Sequence, residues 1–140
     1  MGISTRQKQL VQQSFAKVEP IAEQAAEIFY TTLFEYDPSL KALFKNSIKS
    51  QGQKLMATLK VAVNSLDDLD ALVPVLHKLA ERHVGYGVRA EHFTYVGNAL
   101  LYTLKKGLGN EWNPELRQAW IDVFRLVATV MKDHAFSTKH

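Results

Sequence analysis

Apolar residues recur along the whole chain with the spacing of an α-helix, and no segment alternates convincingly with the period of a β-strand. Local signals mark where helices begin. Ser4 with Gln7 and Ser50 with Gln53 have the spacing of capping boxes. Asn113 precedes a proline and an acidic residue, which is a strong start signal. The pattern predicts an all-α fold whose helices are too unequal and too irregularly linked for a simple four-helix bundle.

Prolines and glycines set the remaining helix boundaries. All four prolines are expected at helix starts, where a missing N–H leaves no hydrogen bond unmade, and Pro74 is expected there in the fourth long helix. Gly85 and Gly87 are expected to end that helix, and Gly107 with Gly109 to end the next one, because glycine readily adopts the left-handed conformation of a helix C-terminus.

Composition favours one ordinary globular domain covering residues 1–140, with 46% hydrophobic and 22% charged residues. There is no long apolar run or signal core, which argues against membrane insertion and favours a cytoplasmic protein. The absence of cysteine excludes disulfides and thiolate chemistry. A net charge of +3 without a basic stripe argues against nucleic acid, although a basic surface could favour anionic ligands or an acidic redox partner.

One imidazole lies on an apolar helix face in residues 72–88. At about 100° per residue, Leu72, Leu76 and Leu79 project within roughly 40° of His83. Taken alone, such a histidine is more often a hydrogen-bonded core residue than a metal ligand. Both interpretations stay open on this stretch.

Two further segments predict what His83 faces. Gln51 stands at the N-terminal end of an apolar stripe on the third long helix, and Tyr30 lies on the buried side of the second. Phe44 closes the short helix between them. Together they predict a large apolar cleft with His83 on one wall and Tyr30 and Gln51 on the other.

The other histidines indicate no second site. His77 and His83 are six residues apart, about 240° around a helix, so they cannot share a metal ion. His92 and His134 lie in polar contexts and are expected in solvent. No Ser–His–Asp set or pair of acidic residues is evident.

The residues of the cleft resemble those of the globin family, in particular single-domain bacterial globins and the haem domain of flavohaemoglobins. The spacing is specific, with 14 residues from Tyr30 to Phe44 and 32 from Gln51 to His83. The resemblance implies a globin fold, a 3-over-3 helical sandwich enclosing haem b, over nearly the whole chain. It rests on Phe29-Tyr30 ahead of Asp37-Pro38 and Leu43-Phe44, on Gln51 with Leu55, on His83, and on Tyr95-Val96-Gly97 with Trp120.

The resemblance also implies roles. His83 matches the proximal iron ligand, and its second nitrogen is expected to donate to a carbonyl in the preceding turn. Phe44 matches the phenylalanine that packs on the porphyrin, while Tyr30 and Gln51 match the distal pair that donates hydrogen bonds to bound O₂. For the rest of the pocket, the resemblance implies ligand access controlled by Leu55, a haem lining of Leu59, Leu76, Leu79, Val88, Phe93 and Val96, and propionate contacts from Lys54 and Arg82.

Two departures from the family narrow the chemistry. Flavohaemoglobins back the proximal histidine with a Tyr–Glu pair, but the matching positions hold Phe93 and Ala135, neither of which can hydrogen-bond His83 through its side chain. This argues against strongly electron-donating, peroxidase-like chemistry. The chain also ends at His140, without room for flavin and NAD domains, so a catalytic cycle is expected to need a separate reductase.

Three functions therefore remain. The first is reversible O₂ binding at ferrous iron for storage, transport or scavenging, with some reaction toward NO. The second is an enzyme, a nitric oxide dioxygenase that works with a separate reductase. The third is gas or redox sensing, which usually needs an output domain.

Overall fold

The computed structural model describes residues 3–43, 48–85 and 92–136, which form six α-helices joined by short connections. No strand occurs in these three ranges, so the all-α prediction is confirmed. None of the helices there is long and apolar enough to cross a membrane. Among the predicted site residues, Phe44 and Val88 lie outside the described residues, as do the side chains of Arg82, His83 and Ala135.

Short 3₁₀ turns connect several of the helices. They cover Glu19–Ile21, Pro38–Leu43 and Gly109–Glu111. The six helices are α1 (Thr5–Val18), α2 (Ala22–Tyr36), α3 (Ile48–Asn64), α4 (Leu69–Gly85), α5 (His92–Leu108) and α6 (Pro114–Phe136).

Side-chain caps start the first and last helices where the sequence predicts. The Gln7 N–H donates to the Ser4 hydroxyl at 3.1 Å, and the Ser4 N–H donates to the Gln7 side chain at the same distance, which completes the capping box. The Leu116 N–H donates to the Asn113 side chain at 2.8 Å at the start of α6. Each cap satisfies backbone donors that have no partner inside the helix.

Two predicted helix starts are wrong. Helix α3 begins at Ile48, so Ser50 lies inside it rather than at its cap. Pro74 lies inside α4, because the Asp68 carboxylate accepts the Ala71 N–H at 3.2 Å and starts the helix earlier. A local capping carboxylate thus determines the boundary, and the helix continues through the proline.

Two glycines lie near the end of α5, and they have different roles. Gly109 has a φ of +56°, the left-handed conformation that ends the helix as predicted. Gly107 instead lies within α5, where its backbone passes close to Ile21. Only the first of these positions needs glycine for its backbone geometry.

The core consists of two apolar clusters. The larger joins α1, α2, α3, α5 and α6 around residues such as Phe15 and Trp120. The smaller includes Leu72 and Leu76 of α4, which pack with residues of α5 and α6, and Phe124 contacts both clusters. Among the described residues, α4 packs mainly on α6.

Helices α1 and α6 are tied together by a buried polar contact. Trp120 is 1% exposed, and its indole N–H donates to the Ser14 hydroxyl at 2.9 Å. Ser14 in turn donates to the Val11 carbonyl at 3.0 Å. The large aromatic side chain is therefore buried without an unpaired donor.

Helices α5 and α6 approach closely at Gly97. A Cβ atom at this position would lie 2.8 Å from Cε2 of Phe124, well inside van der Waals contact. The missing side chain therefore allows the Phe124 ring to lie directly on the α5 backbone, at the junction of the two clusters.

We expect Gly97→Ala to lower the free energy of unfolding by about 1–3 kcal/mol, because the added methyl group overpacks this contact. The matched control is Gly107→Ala in the same helix, where the added Cβ would meet Ile21 at an ordinary 3.4 Å. That substitution should be neutral or stabilise by up to about 1 kcal/mol through helix propensity. Chemical denaturation of the two variants measures the difference, and equal stabilities would contradict the proposed close approach.

Candidate functional site

The site begins with a close crossing of α2 and α3. A Cβ atom at Gly52 would lie 2.8 Å from Cβ of Ala26, so the two backbones meet where one residue has no side chain. Tyr30 follows Ala26 by one helical turn and lies on the same face of α2. Gln51 precedes Gly52. The crossing therefore brings Tyr30 to the first turns of α3.

Tyr30 is a buried hydrogen-bond donor. It is 5% exposed, and its hydroxyl donates to the backbone carbonyl of Gln51 at 3.3 Å. The rings of Phe29 and Phe34 lie 5.1 Å and 6.0 Å from the Tyr30 ring, measured between centroids. Burial raises the pKa of Tyr30 to about 12, because the phenolate would lose its hydration. The phenol therefore keeps its proton at any physiological pH.

The hydrogen bond that joins Tyr30 to Gln51 ends on the backbone carbonyl of Gln51. The Gln51 side chain itself is half-buried. At 3.3 Å the bond is longer than the usual 2.7–2.8 Å for hydroxyl donors, so it is weak. A ligand with a better acceptor could therefore draw the hydroxyl away at small cost.

The apolar side chains that are predicted to line the haem come from three helices. Leu55 and Leu59 of α3, Leu79 of α4 and Val96 of α5 are all half-buried, while Phe93 is 8% exposed. They pack against the two core clusters yet keep apolar surface uncovered. A flat apolar cofactor would cover that surface, so these residues fit a haem.

A void of about 10 Å³ lies on the core side of α3, bordered by Leu55, Leu59 and Trp120 among others. It holds at most one water-sized molecule. A cofactor therefore has no room between α3 and this part of the core.

The remaining predicted residues lie at the edge of the site. His83 belongs to the last turns of α4, four residues after Leu79 and seven after Leu76, so the three share one helix face. Lys54 is exposed on α3. The predicted roles of His83 and Lys54, and those of Phe44, Arg82 and Val88, stay predictions.

One of the two histidine predictions is wrong. His92 was expected in solvent but is buried at the start of α5, with 5% exposure. His134 is exposed, as predicted, although it stacks on His77 with ring centroids 4.1 Å apart, and its Nε2 lies 2.7 Å from a Glu81 oxygen. The spacing of His77 and Glu81 on one helix face was visible in the sequence, whereas the approach of α6 was not.

This histidine pair is not a metal centre as it stands. In the described part of the chain, no group of three or more histidine, cysteine or acidic side chains is arranged to hold a metal ion. Stacked imidazoles direct their lone pairs side by side rather than toward one point. The contact instead joins α4 to α6.

Comparison with known proteins identifies relatives of this architecture. The Globin family profile matches residues 27–131. A neuroglobin of Danio rerio is 31% identical over 143 aligned positions, covering 92% of this chain and 90% of the neuroglobin. A flavohemoprotein of Chromobacterium violaceum is 37% identical over 107 positions, covering 74% of this chain. This chain spans only 26% of that flavohemoprotein's length.

A solved structure is similar over nearly the whole chain. It is an engineered carbene transferase made from a candidate nitric oxide dioxygenase of Rhodothermus marinus. The two structures superpose with a TM-score of 0.86 at 26% sequence identity, covering 95% of this chain and 93% of the other. The six helices are therefore arranged in the 3-over-3 sandwich that the sequence predicts.

The raised pKa of Tyr30 predicts a pH dependence of stability. The folded-state pKa of about 12 exceeds the ordinary value of 10.0, so this group's contribution is present below pH 10 and is lost as the pH rises toward 12. We expect the free energy of unfolding to fall over this window by up to about 2–3 kcal/mol more in the native protein than in Tyr30→Phe.

Denaturation at several alkaline pH values tests this expectation. Tyr102→Phe is the matched control, since Tyr102 is 42% exposed. Removing its hydroxyl should leave the steep fall in the free energy of unfolding unchanged. A fall of equal size in the native protein and in Tyr30→Phe would show that the Tyr30 phenol is not desolvated.

Proposed function

The chain belongs to the globin family, and from this we propose that it is a haem b protein that binds O₂ reversibly and also reacts with NO. The observation that carries the proposal is the buried, neutral Tyr30 phenol beside the start of α3. Several apolar side chains that are predicted to line the haem also remain half-buried. We also propose that the protein acts in the cytoplasm.

Haem supplies an iron centre that binds diatomic gases when ferrous. For its proximal ligand we propose His83, whose place on the Leu76–Leu79 face of α4 supports the assignment. Phe44, Leu55, Leu59, Leu79, Val88, Phe93 and Val96 would contact the macrocycle, with Lys54 and Arg82 at its propionates.

The distal polar groups are Tyr30 and Gln51. A protonated phenol stabilises an electron-rich ligand by donating a hydrogen bond to it. Burial keeps the Tyr30 phenol protonated. Hydrogen bonds to charged acceptors contribute on the order of 1.5–3 kcal/mol. The Gln51 amide, half-buried beside Tyr30, would supply a second donor. Leu55, one turn along α3, would restrict access to both.

The second candidate is a nitric oxide dioxygenase, favoured by the Rhodothermus marinus neighbour and by the flavohemoprotein relative. In that reaction O₂ and NO would combine to nitrate and ferrous iron would supply one electron, so each turnover would need one electron from a donor. Tyr30 and Gln51 would orient the oxygen atoms toward NO. Nitrate formed well beyond one equivalent per haem, with a reductant present, separates this enzyme from a binder that reacts once.

We expect His83→Ala to lose stoichiometric haem and its Soret absorption, with partial recovery when free imidazole is added. His77→Ala is the control, since His77 lies six residues earlier on another face of α4, and it should keep haem. Haem content per chain and the ferrous spectrum are the measurements. A native protein that takes up no haemin would contradict the proposed function, and an unaltered His83→Ala spectrum would contradict the ligand assignment.

We expect Tyr30→Phe to speed O₂ dissociation from the ferrous protein about tenfold, because one hydrogen bond to the ligand is lost. Tyr102→Phe, a change of the same size at an exposed tyrosine, should leave the rate unchanged. Stopped-flow displacement of O₂ by CO measures both. Equal rates in the native protein and Tyr30→Phe would mean that the phenol does not reach the ligand.

A further inference from the structure

Charge is unevenly distributed along the chain. Between Asp37 and Asp67 the sequence contains five lysines and no aspartate or glutamate, although the chain has 14 acidic residues. The other residues are slightly acidic in total, so the net charge of +3 comes entirely from this segment. The segment includes the turn after α2 and all of α3.

Three of these lysines, Lys41, Lys49 and Lys54, are exposed around the start of α3, and we call them the lysine rim. The Lys41 ammonium lies 5.9 Å from the Phe34 ring centroid, and Phe34 lies beside Tyr30. The rim therefore borders the side of the molecule on which the Tyr30 hydroxyl meets α3.

Like several other exposed basic residues, the rim lysines form no ion pair with a carboxylate among the described residues. Across the described ranges, carboxylates pair with Arg6, Lys17 and Lys60, whereas no ion pair involves a rim lysine. The charge of the rim is therefore not neutralised within the described part of the chain. Its field extends into solvent over roughly 8–10 Å at physiological salt.

Lysines near the start of α3 are unfavourable for the helix dipole. The N-terminus of a helix carries partial positive charge and favours acidic residues, at about 0.3–1 kcal/mol each. Helices α2, α4 and α6 follow the rule with Glu23, Asp70 and Glu115 in their first turns, whereas α1 and α5 have no acidic residue there. Helix α3 likewise has no acidic residue in its first turn, and it carries Lys49 there. The local charge is thus opposite to what helix stability favours.

We propose that the lysine rim is the docking surface for an acidic protein that donates single electrons to the haem, an inference that rests on the proposed function. The donor loses one electron and ferric iron becomes ferrous, with no bond made or broken. Complementary charge would steer the donor to the side of the molecule where the cofactor is proposed to lie, which raises the association rate.

The test compares two variants with the same change in charge. Lys41→Glu/Lys49→Glu reverses the rim and leaves Lys54, the proposed propionate contact, in place. Lys105→Glu/Arg117→Glu is the control, with both residues exposed in α5 and α6. The end of α5 lies close to Ile21, just before α2 begins. The rim lies near Phe34, toward the other end of α2.

The full-length haem-loaded proteins are reduced by a plant-type ferredoxin, an acidic one-electron donor, between about 10 and 300 mM ionic strength. We expect the rim variant to react at least tenfold more slowly at low salt and to lose or invert the salt dependence. The control should change less than about threefold. Oxidised ferredoxin, which transfers no electron, should bind the native protein and the control at low salt but not the rim variant.

Reduction by neutral reduced lumiflavin separates docking from haem function. It should proceed equally in all three proteins. Equal ferredoxin rates in haem-loaded proteins would overturn the docking surface and leave the haem function intact, whereas failure to bind haem would overturn both. Loss of duplex DNA binding in the rim variant, with unchanged ferredoxin rates, would assign the rim to nucleic acid and also overturn the proposal.

Discussion

The crossing of α2 and α3 at Ala26 and Gly52 sets the geometry on which the site depends. Because a side chain at Gly52 would overlap Ala26, the helices approach as closely as their backbones permit. That approach brings the Tyr30 hydroxyl to the Gln51 carbonyl and turns Leu55 and Leu59 toward the interior. A wider crossing would separate the phenol from α3 and expose it to water, which would remove the cause of its raised pKa.

The packing of α4 is the second feature on which the site depends. This helix packs on α6 through a second apolar cluster, with Phe124 shared between that cluster and the main core. The stack of His77 on His134 adds a polar contact along the same side. The core is thus divided into two clusters, an arrangement that suits a fold that encloses haem.

Local sequence signals predicted most of the helices. They failed where a competing local signal or tertiary packing determined the helix boundary or the burial of a residue. The Ser4 and Asn113 caps act where predicted because capping involves residues three apart in sequence. Pro74 was misplaced because Asp68 starts α4 earlier. His92 was misjudged because its burial depends on other helices. Likewise, the sequence predicted Tyr30 and Gln51 as neighbours but not that the phenol bonds a backbone carbonyl, which depends on the crossing distance.

The bond from Tyr30 to the Gln51 carbonyl makes this backbone oxygen a competitor for the phenol proton. Any ligand that recruits the hydroxyl must first replace that acceptor, so the net stabilisation is the difference between two hydrogen bonds rather than the strength of one. Small shifts of α3 along α2 would change the carbonyl distance and hence this difference. Gas affinity could thus be tuned during evolution by residues of the helix interface that never contact the gas.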